Sequence, residues 1–261
     1  MCKGMMKKYI LDLKVASVGN LNDRYVLLKL TDNAPLPEML PGQCVEVRVD
    51  DASDVLLRRP ISIHYVDKER NELWLLIAAI GRGTRRLARL KVGDTLNCVL
   101  PLGNGFTMPE SSHERVLLIG GGVGVAPLLY FGRELRQMGC EPTYLLGART
   151  ANDLLELDAF QATGRVYVTT EDGSVGEKGF VTNHSVLEDC VFDRIVTCGP
   201  KPMMVAVAKY AQKVSVECEA SLENMMACGV GACLCCVEKT VDGNLCVCKD
   251  GPVFSTSKLM W

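Results

Sequence analysis

Long hydrophobic runs are missing from this 261-residue sequence. The longest uncharged apolar stretch is LWLLIAAI, residues 73–80, far short of the ~18 residues that a membrane-spanning helix requires. The first residues, MCKGMMKKYILDL, include early lysines but no apolar segment of the kind found in secretory signal peptides. We therefore expect a cytoplasmic protein.

The sequence also lacks an excess of charge of either sign. Its 29 lysine and arginine residues stand against 31 aspartate and glutamate residues, a formal net charge of −2. Proteins that bind nucleic acid or anionic membranes usually carry clustered basic residues. We therefore expect neither kind of partner, and the 48% hydrophobic and 23% charged residues are typical of a globular protein.

Cysteine, in contrast, is plentiful and unevenly placed. Six of the 13 cysteines lie in CGVGACLCCVEKTVDGNLCVC, residues 228–248. Disulfides are disfavoured in a reducing compartment, so cysteines clustered there more often bind metal or act in redox chemistry. The other seven are scattered, and we expect them to be small buried apolar residues: Cys2, Cys44, Cys98, Cys140, Cys190, Cys198 and Cys218.

Two patterns of secondary structure divide the chain. The first hundred residues contain short strand-like runs separated by turn signals, which predict a small antiparallel barrel or sandwich: 24–30, 43–49, 60–66, 72–78 and 95–100. A basic stretch, 81–91, has helical spacing after Thr84. We expect an N-terminal domain over residues 1–108.

From about residue 109, strands and helices alternate, which predicts a doubly wound parallel sheet covered on both faces. The predicted strands are 115–120, 143–150, 165–172 and 193–200, and the predicted helices are 126–139, 152–161 and 201–214. This α/β domain is expected to span residues 109–214. The cysteine-rich remainder, residues 215–261, forms a third, small domain.

The spacing Cys228-x4-Cys233-x2-Cys236 is typical of the plant-type [2Fe–2S] ferredoxins, in which a fourth thiolate comes from further along the chain. Glycines between these cysteines permit the unusual backbone of a cluster-wrapping loop. Cys235 falls outside the spacing and is expected to be a bystander. A zinc site and buried free thiols are the alternatives, but zinc prefers paired CxxC motifs and only one is present.

Either Cys246 or Cys248 can supply the fourth ligand. The segment VDGN predicts a two-residue hairpin turn centred on Asp242 and Gly243. With that turn, Cys248 pairs with Val237, next to the loop, and Cys246 lies about two residues, or ~7 Å, further away. We therefore expect Cys248 to be the ligand.

Two glycine turns in the α/β region point to a nucleotide. IGGGVGVAPL, residues 119–128, follows a strand and opens a helix, where backbone N–H groups can bind a pyrophosphate. TCGPKPM, residues 197–203, is a second turn of this kind. Ligands bind at the carboxyl ends of the strands in open α/β sheets, so both turns are expected to border one crevice. Pro127 stands where a true G-x-G-x-x-G has its last glycine, and a purely structural turn is the alternative.

The predicted barrel carries two motifs suited to a flavin nucleotide. In RRPISI, residues 58–63, an arginine lies beside a hydroxyl residue and can hold a phosphate and a flavin edge. In GRGT, residues 81–84, a glycine turn opens a basic helix and can hold further phosphate oxygens. On the residues alone, a solvated Arg59 and an exposed helix face over 82–89 are the alternatives.

The order of the three regions, with RRPIS, GGGVGVAPL and CGPKPMM, resembles the ferredoxin-reductase-like flavoprotein family over essentially the whole chain. Together with SLENMMACGVGACLCCV and VCKDGPVF, these motifs are similar, more closely, to the family of electron-transfer subunits of NAD-dependent (type B) dihydroorotate dehydrogenases. No single motif carries this resemblance; the combination does.

This resemblance implies three cofactors and their residues. FAD would be held by Arg59, Pro60, Ile61, Ser62, Leu76, Ile77, Ala78, Gly83 and Thr84. The [2Fe–2S] cluster would be ligated by Cys228, Cys233, Cys236 and Cys248. NAD would dock across Gly122–Gly124 and Cys198–Pro200, which includes Gly199.

The resemblance also implies a partner. The chain would relay electrons between NAD and FMN in a separate catalytic subunit, where dihydroorotate becomes orotate during pyrimidine biosynthesis. The two proteins would form a heterotetramer with two copies of each subunit. This chain has no candidate catalytic site for dihydroorotate oxidation itself.

Three other interpretations remain at this point. The flavin and iron–sulfur subunit of an NADH-dependent ferredoxin:NADP oxidoreductase shares the architecture but typically has aspartate at the first cluster position, where Cys228 stands here. A sulfite-reductase-type electron-transfer subunit is the second. A zinc-stabilised interaction module without redox activity is the third. Arg149 suits a 2′-phosphate, so the residues alone do not choose between NAD and NADP; the resemblance favours NAD.

Overall fold

The structure of the protein, a computed structural model, describes residues 7–50, 53–189 and 191–261. Cys2 and Cys190 therefore lie outside the described residues. The other five scattered cysteines are buried, which confirms the expectation for them: Cys44, Cys98, Cys140, Cys198 and Cys218.

Six antiparallel strands of the N-terminal region close into a barrel, in the order β1-β2-β5-β4-β3-β6. They are β1 Tyr9–Asn20, β2 Tyr25–Thr31, β3 Cys44–Val47, β4 Arg59–Asp67, β5 Glu72–Ala78 and β6 Thr95–Leu102. Alternate residues point inward, so Leu73, Leu75 and Ile77 of one strand are fully buried in the barrel core. The predicted antiparallel barrel is confirmed.

The central region is built on a seven-stranded sheet in the order β10-β9-β8-β7-β11-β12-β15. Its strands are β7 Val116–Gly121, β8 Thr143–Ala148, β9 Arg165–Thr170, β10 Glu177–Lys178, β11 Arg194–Cys198, β12 Glu217–Ser221 and β15 Val253–Ser255. All pair in parallel except β15, which runs antiparallel to β12. The predicted parallel sheet is confirmed, and β12 and β15 extend it with residues from the cysteine-rich region.

Five α-helices accompany these strands in the described part of the chain: α1 Arg82–Leu87, α2 Ala126–Gln137, α3 Leu157–Gln161, α4 Val186–Asp189 and α5 Lys201–Lys213. The helix predicted over 152–161 is wrong in its first half. Residues Ala151–Asp153 form a 3-10 turn instead. Glu156 then has a φ of 50°, outside the helical region, so α3 begins only at Leu157. None of the helices described here has the length and apolarity needed to cross a membrane.

The cysteine-rich region packs against both of the preceding regions. It contains a two-stranded hairpin, β13 Val237–Thr240 and β14 Gly243–Cys246. Cys236 and Cys248 share a buried cluster with Cys44 and Leu102 of the barrel and with Met204 of α5. The cysteines are therefore held at the junction of the barrel and the central sheet.

Candidate cofactor sites

The cysteine loop between β12 and β13 has a backbone that only special residues adopt readily. Gly229 and Gly231 have φ of 66° and 79°, and Leu234 has φ of 59°. Positive φ is routine for glycine but uncommon for a side chain such as leucine. The curled backbone turns successive N–H groups toward the inside of the loop.

Those N–H groups point at the cysteine sulfurs. Cys228 Sγ accepts hydrogen bonds from the amides of Val230, Ala232 and Cys233, each at 3.4 Å. Although desolvation opposes the shift, these backbone donors lower the pKa of Cys228 to about 6. A thiolate is the form that ligates iron, so the loop suits a ligand at this position.

The hairpin register that led to the choice of Cys248 is wrong. Val237 pairs with Cys246, not with Cys248, and the turn is centred on residues 241–242. The Thr240 hydroxyl donates to the Gly243 carbonyl at 2.7 Å and accepts the Asp242 amide at 3.2 Å, and Gly243 takes a φ of 104° within the ladder. Because the Thr240 side chain closes the turn, the pairing of β13 with β14 is displaced by two residues from the predicted register.

Cys248 nevertheless lies beside the loop, because residues 247–250 turn back after β14. Its amide donates to Cys236 Sγ at 3.4 Å, and its own Sγ accepts the Gly231 amide at 3.1 Å. Cys246 Sγ faces the Gly231 carbonyl oxygen instead, at 3.9 Å. An N–H group stabilises a thiolate and a carbonyl oxygen repels it, so the local dipoles favour Cys248 as a ligand.

The six clustered cysteines differ in exposure. Cys236, Cys246 and Cys248 are buried, whereas Cys233 and Cys235 are exposed. Within the described residues, no group of three or more His, Cys, Asp or Glu side chains is placed to hold a single metal ion.

The two flavin motifs meet at the end of the barrel. The Arg59 guanidinium lies against Gly83, where a Cβ atom would be 2.7 Å from Arg59 Nε. The Thr84 hydroxyl accepts the amides of Ile80 and Gly81 and so closes the turn that starts α1. The structure thus brings together an arginine, a side-chain-free surface and a hydroxyl, a set suited to a phosphate.

The other predicted flavin residues lie on the adjoining strands β4 and β5. Pro60 and Ser62 are half-buried on β4. Ile61 packs against the barrel core and Ile77 lies within it, so these two would offer a flavin their backbone rather than their side chains. Leu76 packs in the core of the central region, and Ala78 follows Ile77 at the end of β5.

The two glycine turns touch each other. They follow neighbouring parallel strands, since Cys198 pairs with Gly120. A Cβ atom on Gly124 would lie 2.4 Å from the Gly199 Cα atom, and one on Gly121 would lie 3.3 Å from Pro200. The two turns therefore lie side by side at the carboxyl ends of β7 and β11, where the nucleotide crevice is expected.

Glu223 lies near Cys198 of the second glycine turn, and the sequence reasoning did not single it out. Burial raises the pKa of the Cys198 thiol well above its usual value, and the nearby Glu223 carboxylate raises it further. Glu223 is exposed as a residue, while the neighbouring protein desolvates its carboxyl group and raises the pKa of that group. The sequence signal that could have identified Glu223 is its position in SLENMMACG, just before the cysteine loop.

The barrel, the crevice and the cysteine loop are contiguous. Cys44 on β3 pairs with Ser62 of the flavin motif and packs with Cys236 and Cys248. On the other side, Leu76 packs in the same core as Val125, which follows the first glycine turn. The predicted sites are therefore neighbours in a row, with the flavin motif in the middle.

Comparison with known proteins matches two family models to the chain. Residues 223–260 match the iron–sulfur cluster binding domain of dihydroorotate dehydrogenase B. Residues 118–209 match the oxidoreductase NAD-binding domain. The two matches cover the cysteine loop and the crevice described above.

Solved structures share this architecture over most of the chain. The NADH-dependent reduced ferredoxin-NADP oxidoreductase superposes with a TM-score of 0.86 and 28% identity, over 95% of this chain and 90% of that one. The ferredoxin reductase of carbazole 1,9a-dioxygenase shares the fold, with a TM-score of 0.70, 22% identity and coverage of 81% and 67%. The fold and the three sites define a ferredoxin-reductase-like oxidoreductase.

Relatives of known identity assign the chain to one family within this class of oxidoreductases. The dihydroorotate dehydrogenase B (NAD(+)) electron transfer subunit of Shouchella clausii is 42% identical over 84% of this chain and 86% of its own length. The corresponding Bacillus velezensis subunit is 38% identical over 95% and 97%. The chain belongs to the family of electron-transfer subunits of dihydroorotate dehydrogenase B. It is an oxidoreductase subunit that uses FAD, a [2Fe–2S] cluster and NAD and works with a catalytic partner subunit.

Proposed function

We propose that the chain relays electrons between NAD and FMN bound in the catalytic partner subunit, through FAD and the [2Fe–2S] cluster. One observation carries the order of this relay. Cys44 pairs with Ser62 of the flavin motif and packs with Cys236 and Cys248 in one buried cluster. The flavin and cluster sites are thus separated by little more than one strand.

The residues for each cofactor are part of this proposal. Arg59, Gly83 and Thr84 would hold the FAD phosphates, because the Arg59 guanidinium lies against Gly83 in the same short turn whose first residue, Gly81, donates its amide to the Thr84 hydroxyl. The flavin would lie along β4 and β5, on Pro60, Ile61, Ser62, Leu76, Ile77 and Ala78. NAD would bind in the crevice formed by Gly122, Gly124, Cys198, Gly199 and Pro200.

The cluster ligands would be Cys228, Cys233, Cys236 and Cys248. Amide donors at the Cys228 and Cys248 sulfurs support this choice, as does the carbonyl oxygen that faces Cys246. We assign the cofactors to residues 1–108, 109–214 and 215–261 in the order FAD, NAD and cluster, in a cytoplasmic protein.

The chemistry balances between the two ends of the relay. Dihydroorotate loses two electrons and two protons to become orotate, and NAD⁺ gains a hydride to give NADH and one proton. When bound, FAD supplies the exchange between hydride transfer and the single electrons that a cluster carries. This chain's residues hold the cofactors in sequence and exclude water from the junction around Cys44.

The partner would dock on the cysteine loop. Three apolar side chains of the loop region are exposed: Met225 by 82%, Val230 by 47% and Leu234 by 63%. Apolar side chains around an exposed redox loop suit a protein interface. We propose a heterotetramer with two copies of each subunit, in which this surface brings the cluster close to FMN.

A reconstitution tests the relay. This chain would be co-expressed with a type B dihydroorotate dehydrogenase catalytic subunit, and the complex would be purified without oxygen and mixed with dihydroorotate and NAD⁺. We expect NADH to form only when both chains are present. A flavin- and iron-containing chain that does not bind the catalytic subunit would disprove the proposed partner.

The second candidate is a subunit of an NADH-dependent ferredoxin:NADP oxidoreductase, which the TM-score of 0.86 favours. That enzyme would use the same flavin and nucleotide sites with a different partner. Reduction of ferredoxin by the isolated holoprotein with NADPH, and no NADH formation from dihydroorotate in the reconstitution, would favour it.

A further inference from the structure

His64 is a buried residue that none of the cofactor assignments uses. It lies on β4, two positions after Ser62 of the flavin motif, and none of its side chain is exposed. Its Nδ1 atom is 2.8 Å from the carbonyl oxygen of Ala126, the first residue of α2. That helix follows the Gly122–Val125 turn directly, so His64 joins the flavin strand to the nucleotide turn.

The other ring nitrogen faces a carboxylate. His64 Nε2 lies 2.6 Å from Glu156 Oε2, and the Glu156 side chain is 13% exposed. Both atoms are buried, and neither has a hydrogen-bond partner among the described residues, so each is the other's close polar neighbour. Since a carbonyl oxygen only accepts, Nδ1 carries the hydrogen in the contact with Ala126, and Nε2 is left facing the Glu156 carboxylate.

Two irregularities of the backbone bring this pair together. The pairing of β4 with β5 shifts between Ile63 and Tyr65, which places His64 at a bulge. Glu156 has φ of 50°, in the left-handed region that a glutamate rarely adopts. Bulges re-aim side chains, and strained residues persist where the surroundings fix them. Both deviations converge on one contact between the barrel and the central region.

We propose that the His64–Glu156 pair, with the Ala126 carbonyl, is a positioning device that fixes the nucleotide crevice against the flavin strand for hydride transfer. Reacting atoms must approach to about 3–3.5 Å, and a displacement of about 1 Å can slow a reaction about 100-fold. His64 ties β4 to the first residue of α2, and Glu156, just before α3, holds the other side of the His64 ring, so the pair controls this approach. Neither residue touches the substrate, so the role is one of positioning.

The same helix offers a control. Tyr130, one turn further along α2, donates a buried hydrogen bond to the Met39 carbonyl of the barrel region at 2.9 Å. Tyr130→Phe removes a contact of similar burial between the same two regions, but not the one next to the nucleotide turn. This variant measures how a general weakening of the contact between the two regions affects flavin reduction.

The test compares two routes of flavin reduction in the complex with the catalytic subunit. NADH reduces the flavin only if nicotinamide docks correctly, whereas dihydroorotate reduces it through the cluster. For His64→Asn and Glu156→Ala we expect NADH-driven reduction to slow about 10- to 100-fold, with dihydroorotate-driven reduction unchanged. Glu156→Gln donates an amide hydrogen to neutral Nε2 and is expected to keep most of the rate.

Hydrogen exchange supplies a readout apart from activity. In His64→Asn, the amides of residues 130–134 in α2 should exchange faster, while those of the barrel strands keep their protection. The inference is wrong if His64→Asn keeps the wild-type NADH rate, if both routes slow equally, or if Tyr130→Phe slows the NADH route as much. It rests on the proposed function, and wild-type complex that dihydroorotate cannot reduce would disprove that function instead.

Discussion

Cys246 and Cys248 lie two positions apart in the chain but have opposite neighbours at their sulfurs. The Gly231 amide points at Cys248 Sγ, and the Gly231 carbonyl oxygen faces Cys246 Sγ. One peptide unit thus presents its donor to one cysteine and the next presents its acceptor to the other. This difference of dipoles supports the proposal of Cys248 over Cys246 as the fourth ligand, where the spacing of the sequence leaves both possible.

Replacing Cys248 by serine should therefore remove the cluster, while Cys246→Ser should leave it. We expect the purified Cys248→Ser protein to lose the iron-dependent visible absorbance and most of its iron and sulfide. Metal and sulfide analysis of both variants, isolated without oxygen, measures the effect. Equal cluster content in the two variants would show that the fourth ligand is another residue.

Gly124→Ala should close the nucleotide crevice. The added Cβ would lie 2.4 Å from Gly199 Cα, where neither backbone can yield without moving a turn. We expect NADH binding to weaken at least about 10-fold, with the flavin retained. Gly19→Ala is the matched control, because its nearest neighbour would be an ordinary 3.8 Å away. Titration of the holoprotein with NADH distinguishes the two.

At the scale of secondary structure, the sequence predicted which strands and helices form better than it predicted how neighbouring strands pair. Periodicity and turn signals identified β2–β6, α2 and α5. The sequence analysis missed β1, although Asp12 and Lys14 alternate there with buried Leu13 and Val15, the period-two pattern of a half-buried strand. It missed the true hairpin register because a threonine hydroxyl, not the Asp-Gly pair, closes the turn.

The starts of β7 and β11 are joined by an exposed ion pair whose effect should depend on pH. Arg115 makes three hydrogen bonds to the Asp193 carboxylate, at 2.8–2.9 Å, and these lower the pKa of Asp193 to about 2. Because the folded-state pKa is depressed, the stabilisation is present above the ordinary value of 3.8 and is lost as the pH falls toward about 2.

Asp193→Asn should therefore lower the urea midpoint at about pH 7 slightly, since the pair is exposed and screened by solvent. The difference from wild type should shrink between about pH 4 and pH 2. Asp158→Asn, on the exposed side of α3, is the control. A gap that stays constant over this range would mean that Asp193 acts through packing rather than charge.

At the scale of the molecule, the order of the three regions followed from the sequence, but their contacts did not. The flavin motif and the cysteine loop are separated by more than 160 residues, and nothing local marks Cys44 as the residue between them. Its burial with Cys236 and Cys248 depends on long-range packing. The same holds for Glu156, whose meeting with His64 needs a bulge and a left-handed residue in separate regions.

Charged substitutions in the cysteine loop should weaken assembly with the catalytic subunit. We expect Met225→Lys and Val230→Lys to lower affinity at least about 10-fold, because a lysine would be desolvated at an apolar interface. Val92→Lys, on a barrel turn with 68% exposure, is the control. Sedimentation of the mixed subunits measures assembly, and unchanged iron content shows that the loop is intact. Unaltered assembly in both loop variants would place the partner elsewhere.

The nucleotide-binding region and the cysteine-rich region share one sheet, so neither can be removed without exposing strand edges of the other. β12 covers the edge of β11, and β15 covers the edge of β12. A chain shortened after α5 would leave the backbone groups of β11 unpaired on that side and ready to join another chain. The cysteine-rich region is therefore not an independent module that can be separated from the sheet. Grafting it onto another reductase requires transplanting the sheet edge with it.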